Sequence, residues 1–306
     1  MKPDRIKVWI RAIRAPFFTA SIIPVMLGSV AAWHHTGYFS WPKFWLTLSG
    51  IVFIHGGTNL SNDYFDHTSG CDKANSNPTP FSGGSRVIQE GAISSKSILY
   101  AALAFIIFGG AIGLYLNHVS SGNAILIIGI IGVFLGLFYT AEPVRIGYGG
   151  LGELAVGVGF GPVIVIGSYY VQAQNLPLNI FLVSAPIGIL VALIVLINEF
   201  PDYFGDKKVN KETLVVILGK KKAIIVYHFL LGLVYLLIVS LVYIKALPPL
   251  CLITFLTLPL ALKAYRVSKE KFSKIDELLP ANAATIGIHS LVGLLLCIGM
   301  LMDKIL

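Results

Sequence analysis

Two polar runs carry the chemistry this chain is equipped to do. The first reads Asn59-Leu-Ser-Asn62-Asp63-Tyr64-Phe65-Asp66, with Asp72 following, and the second reads Asn198-Glu199-Phe200-Pro201-Asp202-Tyr203-Phe204-Gly205-Asp206. Both contain Asn-x₃-Asp-Tyr, at Asn59–Asp63 and Asn198–Asp202, and Asn62–Asp66 repeats the spacing. Only 15 of 306 residues are acidic, so their gathering into two runs is informative. Spacings of three and four place such side chains on one helical face. Carboxylates stacked this way repel one another unless a cation sits between them. Carboxylate and amide oxygens suit Mg²⁺, which commonly binds through one or two carboxylates plus waters and substrate phosphates. Two such clusters facing each other across a cavity would hold a metal-bridged diphosphate.

A diphosphate also needs basic partners. The candidates are Arg14, Arg86, Arg145, and Lys207 or Lys211 just after the second cluster. Arg grips phosphate oxygens bidentately, whereas Lys acts as a point charge. Arg86 follows Gly83-Gly84-Ser85, a turn able to lay backbone amides against phosphate. Arg145 is the only basic residue of its loop. For any one of them the plainer role is a topological anchor, and Lys220, Lys221 and Lys222 read that way.

The elements that must position these groups are long and apolar. The chain is 56% hydrophobic and 12% charged, against about 25% charged in a soluble domain. Nine apolar segments run over 17–33, 44–60, 98–116, 123–140, 154–172, 178–197, 223–244, 246–262 and 285–302. A helix needs about 20 residues to cross the hydrocarbon. The expectation is an all-α membrane protein of nine transmembrane helices, one polytopic domain over residues 1–306. Of 23 basic residues, 20 fall in the N-terminal tail (Lys2 among them) and in the loops 61–97, 141–153, 198–222 and 263–284. Only Lys43, Lys245 and Lys304 lie opposite. The positive-inside rule then puts the N-terminus and both acidic runs in the cytoplasm. Each run ends the second helix of a four-helix half, so two pseudo-repeated halves plus a ninth helix would surround a central cavity.

The net charge of +8 is accounted for by this topology and by anionic headgroups. No nucleic-acid motif accompanies it. Cys71, Cys251 and Cys297 have no metal-like or disulfide spacing. Solvated helix ends would explain one Asp but not two matching clusters. A transporter is the alternative from another class, since intramembrane acids often mark ion pathways. Against it, these acids sit at helix ends, and broken mid-membrane helices are not evident. The Asp-Gly-x-x-Ala-Arg pattern of CDP-alcohol phosphotransferases is absent.

At these residues the chain resembles the UbiA superfamily of intramembrane prenyltransferases, and within it the 1,4-dihydroxy-2-naphthoate polyprenyltransferase branch of menaquinone synthesis. The resemblance covers nearly the whole chain. It includes Arg14-Ala15-Pro16, Asn59-Leu60, Asn62-Asp63-Tyr64, Pro80 to Arg86, Tyr139-Thr140 with Pro143, and Gly150-Leu151-Gly152-Glu153. It continues through Tyr169-Tyr170-Val171-Gln172 and Thr213-Leu214-Val215-Val216-x-Leu218-Gly219. Two departures stand out: Gly70 occupies the place of a regularly spaced third Asp, with Asp72 two residues late, and Arg145 stands where many members carry Lys. The late Asp matches the naphthoate branch.

The resemblance implies transfer of an isoprenoid chain from a polyprenyl diphosphate to an aromatic acceptor, with loss of CO₂ if that acceptor is dihydroxynaphthoate. Asp63, Asp66, Asp202 and Asp206 would bind Mg²⁺, with Asn62 and Asn198 assisting, and the metal would act as Lewis acid on the diphosphate. Arg86, Arg145 and Lys211 would stabilise the departing charge. Arg14 and Asn59 join the substrate-binding set. Tyr139 would shelter an allylic cation, although on physical grounds it reads equally as an interfacial belt residue. Glu153 and His289, at helix ends, would contact the acceptor or else be simply buried and hydrogen-bonded. Other acceptors implied by the superfamily are 4-hydroxybenzoate, a porphyrin or a glycerol-phosphate lipid. The expected setting is the bacterial cytoplasmic membrane.

Overall fold

A computed structural model describes residues 4–75 and 77–306. Lys2, counted above among the N-terminal cations, lies outside them. The described residues form α-helices and short tighter turns without a β-strand. The helices are α1 (Arg5–Ala12), α2 (Thr19–Thr36), α3 (Trp41–Thr68), α4 (Cys71–Ala74), α5 (Ser95–His118), α6 (Ala124–Leu137) and α7 (Gly152–Val158). They continue with α8 (Ile164–Ala173), α9 (Leu178–Lys208), α10 (Leu214–Leu218), α11 (Lys220–Tyr243), α12 (Leu258–Lys271) and α13 (Ile275–Ile305).

Each of the nine apolar segments falls on helical structure, the fifth on α7 and α8 together and the eighth on the turn Pro249–Thr257 with α12. Among the described residues, seven helical stretches are long and apolar enough to cross a membrane. The chain is an integral membrane protein. The two segments outside that set have physical reasons for it. Helix α6 has only 14 residues, and α3 carries polar side chains such as His55, Thr58, Asn59 and Asn62 along its second half.

Helices α3 and α9 have 28 and 31 residues, which corresponds to about 42 and 46 Å at 1.5 Å per residue. Both outrun a hydrocarbon core of about 30 Å, so their C-terminal turns, which carry the acidic runs, emerge at one end of the bundle. Pro201 sits inside α9. Lacking an N–H, it leaves the carbonyl of Ile197 without its helical donor. The amide of Asn282 from α13 fills the gap at 3.2 Å and also donates to Asn198 Oδ1 at 2.8 Å. A helix break that would otherwise be costly is thereby turned into a lock between α9 and α13.

Between α7 and α8 the five residues Gly159–Val163 form a π-turn containing Pro162. The main core gathers Leu27, Val165, Ile187, Leu190, Leu193, Tyr227, Ile288 and Val292 from α2, α8, α9, α11 and α13. Helix α3 packs along α5, and α2 along α8. Helices α5 and α6 turn Leu103, Ile107, Phe108, Ile127, Ile130 and Ile131 outwards, as helices facing lipid tails do.

Candidate active site

The α-helical period of α3 puts His55, Asn59, Asn62 and Asp66 on one face, and all four line a cavity of about 1140 Å³. From α9, Asn198, Glu199, Asp202 and Asp206 line the same cavity. The two acidic runs therefore meet, as their spacing suggested. Asn75 and the stretch from Thr79 to Arg86, after α3, also line the cavity, and Asn75 Nδ2 donates to Asp202 Oδ1 at 2.8 Å. That contact ties the loop of the first run to the second.

Asp63 occupies a different place from its neighbours. It is 2% exposed and is ion-paired with Arg14, whose guanidinium also donates to Asn62 Oδ1 at 2.9 Å. Ser85 donates to Asp63 through its hydroxyl and through its backbone N–H at 3.3 Å. Both carboxylate oxygens are thus engaged, and the residue lies beside the cavity wall rather than on it. Gly84 makes this approach feasible, since its φ is +74° and a Cβ there would stand 3.1 Å from Asp72 Oδ1 and 3.3 Å from Asp63 Oδ1.

Asp66 accepts from the Tyr148 hydroxyl at 2.7 Å, and that hydroxyl also meets Ser69 at 3.1 Å. The Tyr148 ring lies 5.2 Å from the Arg145 guanidinium and 5.4 Å from the Lys211 ammonium. Lys211 stands 3.7 Å from Asp206 Oδ1. Burial opposes the charge on Lys211, yet Asp66 and Asp206 outweigh it and hold the ammonium well above its usual value. Asp72 shows the converse. Burial, with Asp66 and then Asp63 nearby, pushes its carboxyl up to about 7 despite Arg14 and Arg86.

The remaining expected residues divide. Arg86 lines the cavity and donates to the Asp72 carbonyl. Asn59 donates to the Ile13 carbonyl at 2.9 Å, anchoring the turn before α2. Tyr139 lines the cavity, its ring accommodated by Gly147 and Gly152, where added Cβ atoms would come within 2.9 and 3.2 Å of it. Arg145 does not reach the cavity wall and pairs with Glu142. Glu153 also stands behind the wall, accepting from the Leu214 N–H at 2.9 Å. His289, expected at a helix end, is instead fully buried in the middle of α13 and off the cavity. Arg14, Arg86 and Arg145 all hold left-handed backbones, with φ of 53°, 64° and 46°, each strained by about 1 kcal/mol or more for a residue with a side chain.

Several residues of the site were assigned no role from the sequence. Glu199 lies on the wall one residue after Asn198. Asn75, Ser85 and Tyr148 bind carboxylates from loops. His55 pairs with Ser21 at 2.7 Å and packs against Phe18 and Phe160, one turn deeper than Asn59. The polarity of His55 within an apolar run was the one available signal.

The donor set fits a hard divalent cation. Asp66, Asp72, Asp202 and Asp206 crowd one end of the cavity, and Asp206 Oδ2 is buried with no partner. Among the described residues no three His, Cys, Asp or Glu side chains converge to hold an ion by themselves. Mg²⁺ commonly keeps waters and takes substrate oxygens beside one or two carboxylates.

From this head the cavity continues between α3, α5, α6 and the α7–α8 rod, past Ile54, Gly113, Val133 and Phe160 as far as Thr47 and Leu116. From Asp66 to Thr47 along α3 is about 28 Å. Beside Gly110, Gly113 and Gly129 a Cβ would meet nothing within 4 Å. One molecule with a charged head and a long apolar tail matches this shape.

Paired acidic helix ends above an apolar lumen, in a helical membrane protein, are the arrangement expected of an enzyme acting on a lipid diphosphate. Residues 21–286 match the family model described as the UbiA prenyltransferase family. The chain is 31% identical to a Bacillus subtilis protein named 1,4-dihydroxy-2-naphthoate octaprenyltransferase, over 93% of this chain and 89% of that one. It is 28% identical to a Synechocystis protein named 2-carboxy-1,4-naphthoquinone phytyltransferase, over 97% and 94%. The fold is shared with a UbiA homolog from Archaeoglobus fulgidus, solved bound to GPP and Mg²⁺, at a TM-score of 0.66 and 14% identity over 94% of this chain and 99% of that one. The chain belongs to the UbiA prenyltransferase family.

Proposed function

We propose that the chain transfers a polyprenyl group from its diphosphate to 1,4-dihydroxy-2-naphthoate, with Mg²⁺ as cofactor, in menaquinone synthesis. The observation that carries this reading is the meeting of the two acidic runs at the head of an apolar lumen. The names of the Bacillus subtilis and Synechocystis relatives support the naphthoate acceptor.

Asp66, Asp72, Asp202 and Asp206 would hold the metal, with Asn62 and Asn198 beside them. When bound, Mg²⁺ supplies charge neutralisation for the departing diphosphate. Arg86 and Lys211, both on the wall, bind diphosphate oxygens. Asp63 serves the site by fixing Arg14 and the Ser85 turn, and Arg145 by holding the Tyr148 ring over Lys211. The Tyr139 ring borders the reacting carbon, where an aromatic face steadies allylic positive charge. The lumen takes the tail and keeps water from the cation. We further infer nine crossings arranged as two four-helix halves plus one, with the N-terminus and the acidic end in the cytoplasm, from the basic residues gathered on that side.

The test is an acceptor panel with purified protein and a labelled prenyl diphosphate. Mg²⁺-dependent product with dihydroxynaphthoate, and not with hydroxybenzoate, supports the reading. The reverse preference would keep the reaction and overturn the acceptor. Single-cysteine labelling at Lys96 and Lys245 reads the orientation, and labelling of position 245 from the cytoplasm would refute it.

A further inference from the structure

We propose that Glu199 is the hydrogen-bond acceptor for a ring hydroxyl of the aromatic substrate, in a subsite it forms with Tyr139. The inference rests on the aromatic-acceptor reading above. Glu199 is 7% exposed and lies on the cavity wall, on the same face of α9 as Asp202 and Asp206. Helix α7, which carries Glu153, packs against α9. Glu153 itself accepts from the Leu214 N–H at 2.9 Å. Glu199 Oε2 is buried with no partner. A buried acceptor left unsatisfied is costly and calls for a donor.

Among the described residues, no protein donor reaches that oxygen. Lys211 faces Asp206, Asn282 donates to Asn198 and Ile197, and Asn75 donates to Asp202. Of the two substrates, a prenyl diphosphate presents acceptor oxygens and a hydrocarbon tail, so it has nothing to donate. A hydroxylated aromatic ring does. The Tyr139 ring, which lines the same cavity, supplies the apolar surface for that ring. The same geometry sets the ring's direction. A carboxylate on the substrate would meet only acceptors at Glu199, Asp202 and Asp206, so it lies on the edge away from them and leaves a hydroxyl towards Glu199.

The experiment compares wild type, Glu199→Ala and Glu199→Gln on 1,4-dihydroxy-2-naphthoate and on its two monohydroxy analogues. A site built to bond a hydroxyl discriminates strongly against the analogue that lacks it. Wild type should lose about tenfold or more in kcat/KM with one of the two analogues. In Glu199→Ala the dihydroxy substrate should fall to that level and the discrimination collapse, while the prenyl diphosphate KM and Mg²⁺ half-saturation stay within about twofold. Glu199→Gln keeps the shape and one acceptor oxygen, so it should fall between, and it carries the test if the alanine variant is unstable. Discrimination retained in the variants would overturn the proposal, as would a rise in the Mg²⁺ requirement, which would make Glu199 a metal ligand. If wild type ignores every hydroxynaphthoate yet prenylates another phenol, the acceptor reading fails. The same comparison, run on that phenol and its deoxy analogue, still decides the role of Glu199.

Discussion

Asp63 is held on one oxygen by the Arg14 guanidinium and on both by Ser85, so the first Asp of its run braces the site from behind. Three separate segments, the turn before α2, the end of α3 and the Gly83–Ser85 turn, converge on this one carboxylate. Replacing Arg14 by Ala would leave a buried charge without its partner, at a cost of about 3 kcal/mol. Thermal unfolding of the purified protein should show a marked drop for Arg14→Ala and a smaller one for Arg14→Lys. Unchanged stability in both would mean the pair is not formed.

The Asp72 carboxyl, pushed up to about 7 by burial and by Asp66 and Asp63, makes the site sensitive to pH. Below 7 the group is protonated, and above it is charged. Since its folded value lies above the ordinary carboxylate range, metal-free protein should lose stability as pH rises through that interval. Mg²⁺ requires the charged form, so apparent metal affinity should fall by up to about tenfold per unit below pH 7. Half-saturation for Mg²⁺ measured at pH 6 and 8 gives the answer, with Asp72→Asn as control. A flat profile in the wild type would contradict this placement of Asp72.

Tyr148 links Asp66 to Ser69 and lies between Arg145 and Lys211. Removing its hydroxyl in Tyr148→Phe deletes one hydrogen bond to a charged group, at about 1.5–3 kcal/mol, while sparing the ring that the cations face. The expected kinetic effect is a weaker Mg²⁺ or diphosphate affinity with the acceptor KM unchanged. Arg145→Ala should act through the same ring and lower activity less than Arg86→Ala, because Arg145 stands off the cavity. Equal losses for the two arginines would argue for direct phosphate contact by both.

The lumen beside Gly110, Gly113 and Gly129 is open to an added side chain. Gly129→Phe should therefore fold, and should act on tail length rather than on the head. Assayed with a short and a long prenyl diphosphate, the variant is expected to keep the short substrate and lose most activity with the long one. Equal effects on both would place the tail elsewhere.

Much of the architecture was legible because hydrophobic runs and acidic spacing are local signals. Asn-x₃-Asp on α3 and α9 needs only the helical repeat to place the side chains on one face, and the structure brings both faces to one cavity. What was not legible depends on contacts between distant segments. Asp63 and Asp66 are three residues apart and similar in sequence, yet one meets Arg14 and the other Tyr148. Arg145 and Glu153 were read as reaching substrate, but the chain turns them towards Glu142 and Leu214. Glu199 was hidden in its motif because the orphaned oxygen that sets it apart exists only in the folded site. Asp72, out of register in sequence, enters the cavity because Gly70 (φ +80°) ends α3 and α4 restarts the chain in a new direction.

The most direct measurement is product formation by purified protein in lipid, with Mg²⁺, labelled polyprenyl diphosphate and 1,4-dihydroxy-2-naphthoate. It is run beside the double variant Asp66→Asn, Asp202→Asn. Prenylated naphthoquinol from the wild type, absent without Mg²⁺ and absent from the variant, is the expected result. A folded wild type that releases no diphosphate with any aromatic acceptor would contradict it.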